Sequence, residues 1–157
     1  MGKLQITAEP GKQEIVMTRD FDAPVEKVFK AYTDVEMIKK WWGGRTYKTT
    51  IDTFEPKAGG SWRFVQKGPD GTDYGFHGVF HEVAPNERII WTFEFEGLPE
   101  AGHVTMETVY FAEKDGKTQM RAVSVFQSVA DRDGMVESGM EKGATEGMDV
   151  LAELVEQ

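Results

Sequence analysis

Hydrophobic and polar positions change period along this chain, and the changes mark out its elements. EIVMTRDF, residues 14–21, alternates with a period near two and predicts a strand. Asp22-Ala23-Pro24 then supplies a cap and a proline suited to a first helical turn. In PVEKVFKAYTD, residues 24–34, Val25, Val28, Phe29 and Tyr32 recur at helical spacing. VEMIKKWW, residues 35–42, predicts a second short helix ending at Gly43-Gly44, where positive φ carries no penalty.

From residue 47 the period falls to two, and strands are predicted at 47–55, 60–67, 73–84, 87–96, 103–113 and 117–127. Turn signals separate them: Pro56 to Gly59, Pro69-Asp70-Gly71, Pro85-Asn86, Pro99 to Gly102 and Asp115-Gly116. Connections this short imply antiparallel neighbours. RIIWTFEFE shows the two faces, with Ile89, Trp91, Phe93 and Phe95 on a dry side and Arg88, Thr92, Glu94 and Glu96 on a wet one.

A last helix is predicted to start after Ser128, where Ser128-Val-Ala-Asp131 resembles a capping box with Asp in place of Glu. Its final stretch, SGMEKGATEGMDVLAELVEQ, residues 138–157, places Met140, Ala144, Met148, Leu151, Leu154 and Val155 on one side. Glu141, Lys142, Glu146, Asp149 and Glu153 lie opposite. Gly139, Gly143 and Gly147 each cost roughly 1 kcal/mol against Ala in a helix interior, and the last two fall inside the apolar arc. Two uses follow: either the backbone presses directly onto the sheet, or unfilled volume remains for a small molecule. The second is preferred, because the facing strands already supply many large side chains.

At 157 residues the chain fits one domain, able to bury roughly two-thirds of the surface its unfolded form exposes. No apolar run approaches the ~20 residues of a membrane span, and the first residues lack the pattern of a signal peptide, so a cytoplasmic protein is expected. The absence of cysteine removes disulfides, thiolate metal sites and cysteine nucleophiles. A net charge of −9 with no basic cluster along the chain argues against nucleic acid and anionic membranes as partners.

EIVMTRDFDAPVEKVFKAYTD, KKWWGG, GGSWRFV, GFHGVFHEVAPNERIIWTFEF and VADRDGMVESGMEKGATEGMDVLAEL together resemble homologues of the activator of the heat-shock-protein-90 ATPase. That family belongs to the START-like superfamily with the birch-pollen-allergen fold. The resemblance implies an α+β helix-grip domain: a curved antiparallel sheet of about seven strands, two short helices, and a long C-terminal helix closing a largely apolar cavity. It also implies a chaperone as partner and a link to stress response. Relatives in the superfamily include lipid and hormone carriers, aromatases and cyclases.

The candidate chemistry is sparse. There is no Gly-x-Ser-x-Gly elbow and no phosphate loop. His77 and His81 share a strand face too far apart for one metal, so neither a metal nor a cofactor is expected. The expected function is binding of a small hydrophobic or aromatic molecule, without chemistry, by a monomer or homodimer. Trp41, Trp62, Phe64, Trp91 and Phe93 are the expected walls, Met140, Gly143 and Gly147 the helix side, and His77 and Tyr110 the polar contacts. The alternatives are stimulation of a chaperone ATPase and cyclase- or dehydratase-type chemistry; the latter requires His77, Glu107 or Tyr110 to project into the cavity.

Overall fold

One antiparallel sheet gathers the dry faces of all the predicted strands, as seen in a computed structural model that describes residues 2–157. In chain order the elements are β1 (Gln5–Thr7), β2 (Glu14–Phe21), α1 (Val25–Thr33), α2 (Val35–Trp41), β3 (Lys48–Phe54), β4 (Ser61–Lys67), β5 (Asp73–Ala84), β6 (Arg88–Phe95), β7 (Thr105–Lys114), β8 (Lys117–Val125), α3 (Val129–Glu137) and α4 (Met140–Val155). The strands lie in the order β1-β2-β8-β7-β6-β5-β4-β3, forming the curved sheet of a helix-grip fold. The count is eight rather than seven. The extra strand, β1, pairs three residues with β2 at the sheet edge and is too short to show an alternation of its own.

The registers define the inner face. Phe54 stands opposite Trp62, Phe64 opposite Phe76, Phe80 opposite Trp91, and Ile89 opposite Val109. These join Phe21, Val28, Ile38, Met120, Leu151 and Val155 in one buried cluster beneath α1, α2 and α4. Each such side chain contributes about 1.5–3 kcal/mol by leaving water. Gly78 makes this packing possible, since a Cβ there would stand 1.9 Å from the Thr92 carbonyl oxygen and 2.6 Å from Trp62 Nε1. In that space the Trp62 indole donates to the same carbonyl at 3.0 Å.

The helix ends differ from the sequence reading in three places. Asp22 does not cap α1; the Val25 amide donates instead to Glu113 Oε1 on β7 at 2.8 Å. At α3, Ser128 Oγ accepts from the Asp131 amide as expected, but the Asp131 carboxylate turns away to His103 Nδ1 at 2.9 Å. The terminal helix is also not continuous. Gly139, at φ 84°, breaks it into α3 and α4, so this glycine sits in the left-handed conformation that it alone adopts cheaply.

The other two glycines separate. Gly143 is exposed, and an added Cβ would meet nothing within 4 Å, so it does not line a seam with the sheet. Gly147 is buried, and its Cβ would stand 3.1 Å from the Trp41 carbonyl oxygen at the end of α2. Its missing side chain brings α4 onto α2. Gly143→Ala is therefore expected to raise stability by about 0.5–1 kcal/mol, and Gly147→Ala to lower it by about 1–3 kcal/mol, in urea unfolding. Equal shifts at the two positions would contradict this packing.

Candidate functional site

The chain leaves α2 in an extended conformation at Trp42, and this resets the direction of its side chain after the helix. The indole turns onto the inner face of β4 and β6. Its ring centre lies 5.1 Å from Phe64, 5.7 Å from Trp62, 6.1 Å from Trp91 and 6.4 Å from Phe93. The first three contacts are edge-on, the arrangement in which aromatic quadrupoles attract. Two polar groups hold this residue. Thr49 Oγ1 donates to the Trp42 carbonyl at 2.5 Å, and the Gln66 amide, oriented by its donors, accepts from the indole Nε1 at 3.0 Å and from the Gly43 amide at 3.3 Å. Trp42, Phe76 and Phe93 remain half-buried, while Trp62, Phe64 and Trp91 are closed off from water.

A carboxylate borders the same face. Glu107 stands opposite Trp91 in the β6–β7 register, accepts from Trp91 Nε1 at 2.8 Å, and accepts from Ser124 Oγ at 3.1 Å. Desolvation pushes its carboxyl above the ordinary range, outweighing the two hydrogen bonds that lower it. The Tyr32 hydroxyl, buried and donating to Met148 Sδ at 3.9 Å, is pushed well above the usual phenol range, first by burial and then by the Glu107 charge. The arrangement is an aromatic enclosure with one acid and a few neutral polar atoms at its edges.

The model of the family described as Activator of Hsp90 ATPase homolog 1-like protein matches residues 22–156. The chain belongs to that family. Solved structures agree with the fold. A solution structure of a protein from Arthrobacter aurescens is 25% identical, covering 96% of this chain and 90% of that one with a TM-score of 0.88. A crystal structure of a protein from Rhodobacter sphaeroides is also 25% identical, covering 96% of both chains with a TM-score of 0.85. A protein from Mycobacterium smegmatis, 21% identical over 96% of this chain and 95% of its own, shares the fold with a TM-score of 0.86. Among curated proteins nothing matches.

Within this member of the family, the expected site residues divide. Trp62, Phe64, Trp91 and Phe93 come together around Trp42. Trp41 is placed behind them: it is buried against Tyr32 at 4.8 Å and donates its indole N–H to the Ala31 carbonyl at 2.8 Å. Gly147 packs on Trp41 rather than leaving space, and half-buried Met140 and exposed Gly143 lie on the first turn of α4, outside the core cluster.

Two placements are corrected. His77 lies on the outer face, with Nδ1 2.8 Å from Glu96 and Nε2 3.4 Å from Glu94, beside Arg63. Tyr110 also faces outward, 41% exposed, with the Arg121 guanidinium over its ring. Their neighbours Phe76 and Gly78, and Val109 and Phe111, take the inward positions, so alternation sends both side chains to solvent. Of the Trp41-Trp42 pair, which precedes two glycines where a large ring can cap a cavity, the sequence reading took Trp41 as the wall, whereas Trp42 holds that place. Gln66 and Thr49 were missed as parts of the site, and nothing in the local pattern distinguished them.

The raised Glu107 carboxyl gives a pH dependence whose sign follows from linkage. The unfolded group ionises at its ordinary value and the folded one higher, so its stabilising contribution is complete below the ordinary value and is lost as pH rises through the folded one. Glu107→Gln should flatten that slope and raise the melting temperature at neutral pH relative to the parent protein. Thermal unfolding from the carboxylate range to neutrality checks this, and parallel pH profiles would contradict it.

Proposed function

We propose that this domain binds a small aromatic or apolar molecule in the enclosure that Trp42 fills, without transforming it. The observation that supports the reading is the source of the Trp42 ring: it comes from a loop, is only half-buried, and is followed by two residues, Gly43 and Gly44, at φ 87° and 67°. A side chain on such a joint can leave without disturbing the strands that wall the enclosure. Its departure exposes Trp62, Phe64, Trp91 and Phe93 to a guest and frees the Gln66 amide for a polar substituent. A ligand of about 20 heavy atoms at roughly 0.3 kcal/mol per atom gains about 6 kcal/mol, which corresponds to tens of micromolar.

The test is an NMR titration of the intact protein with 2-naphthol and indole. Saturable shifts confined to Trp42 and the inner-face residues of β4 to β6 are expected, and Trp42→Ala should bind about tenfold more tightly because no ring must be displaced. Absence of any saturable shift in the parent protein would remove the proposal.

A second reading follows from the family description, that the domain stimulates an Hsp90-type ATPase. Adding it to such a chaperone and measuring ATP turnover tests this, and an unchanged rate rejects it. Acid-base chemistry is a third reading, favoured by the inward Glu107 carboxyl alone.

A further inference from the structure

The sequence contains no run of basic residues, yet folding assembles one in space. Lys39 and Lys40 at the end of α2, Arg45 on the following turn, Lys48 at the start of β3 and Lys67 at the end of β4 line one open concavity of about 530 Å³. The remaining lining is Gly44, Thr46, Tyr47, Thr49 and Gly68, so no carboxylate lines it. For a chain of net charge −9 this is a local reversal of sign.

The state of each cation matters. Among the described residues, neither Lys40 nor Lys48 has a carboxylate within 4 Å. Lys39 reaches Glu36 at 3.7 Å, Lys67 reaches Asp73 at 3.1 Å, and Arg45 pairs with Glu153, all between exposed side chains. Exposed pairs of this kind are held weakly and can be redirected toward a stronger anion. The threonine hydroxyls are not free donors: Thr46 Oγ1 donates to Glu146 and Thr49 Oγ1 to the Trp42 carbonyl. Glu146 also takes the Arg45 and Thr46 amides at 3.1 Å each, so its negative charge is already engaged beside the concavity rather than inside it.

We propose that this concavity, walled by Lys39, Lys40, Arg45, Lys48 and Lys67, is a binding site for a small molecule carrying two or more phosphoryl groups. A single carboxylate would answer only one of the five cations, whereas each phosphoryl group brings about −1.5 to −2 charges and three acceptor oxygens. Lysine recognises such groups as a mobile point charge and needs no planar fork. The size limit comes from the rest of the surface: a long polyanion would run from the concavity onto acidic ground, and a compact one stays within it. The site stands apart from the aromatic enclosure but shares Thr49 with it and is lined by Gly44 to Thr46 of the turn that follows Trp42, so occupancy should be felt at Trp42.

The experiment is a calorimetric titration of the full chain with inorganic tripolyphosphate at low salt, with tryptophan emission followed in parallel. Saturable binding is expected, accompanied by a change in emission. The double variant Lys40→Gln/Lys48→Gln should weaken it by about tenfold or more without altering thermal unfolding, while Lys114→Gln, at the end of β7, should leave it unchanged. Added salt should weaken it further. No saturable heat with tripolyphosphate, equal affinity in the double variant, or equally tight binding of citrate or an acidic peptide would each overturn the proposal. Loss of naphthol binding would not bear on it, because no residue of the aromatic enclosure supplies its charge.

Discussion

The contact between α4 and the end of α2 governs the rest of this molecule. Gly147 has no side chain, and the Trp41 carbonyl occupies the space beside it. That same carbonyl accepts from the Gly44 amide at 3.0 Å, while Glu146, one residue earlier on α4, gathers the Arg45 and Thr46 amides and the Thr46 hydroxyl. Two consecutive residues of one helix thus define the path of the chain from 41 to 46. The path aims Trp42 inward, and it sets Arg45 and Thr46 on the wall of the basic concavity.

Placing Trp42 there resolves the geometry of the inner face. Wide aromatic side chains on β4, β5 and β6 create more curved apolar surface than a helix of small and aliphatic residues covers evenly. A ring supplied from the turn after α2 closes the remainder, with its polar atoms anchored on Gln66 and Thr49. The family to which the chain belongs supplies the scaffold, and these particular residues supply its contents.

Much of this was legible in residue order. The alternation of RIIWTFEFE, the helical spacing of Val25, Val28, Phe29 and Tyr32, and the turn glycines give element types and faces directly, since each follows from backbone period alone. What was not legible depends on tertiary contact. Gly139 reads as a helix interior until its positive φ is known. Val109, Tyr110 and Phe111 are all apolar enough that parity around Tyr110 has no local contrast, and only the pairing of Glu107 with Trp91 decides which way they point. The basic concavity draws from a helix, a turn and two strands, so no window of sequence contains it.

A double-mutant cycle joining Gly147→Ala and Trp42→Ala, read by urea unfolding, is the most direct measurement of how far the helix contact dictates the tryptophan's place. The account predicts a coupling of about 1 kcal/mol or more between the two sites, because the methyl group disturbs the turn that seats the ring. Costs that add to within about 0.5 kcal/mol would show the two to be independent and would contradict it.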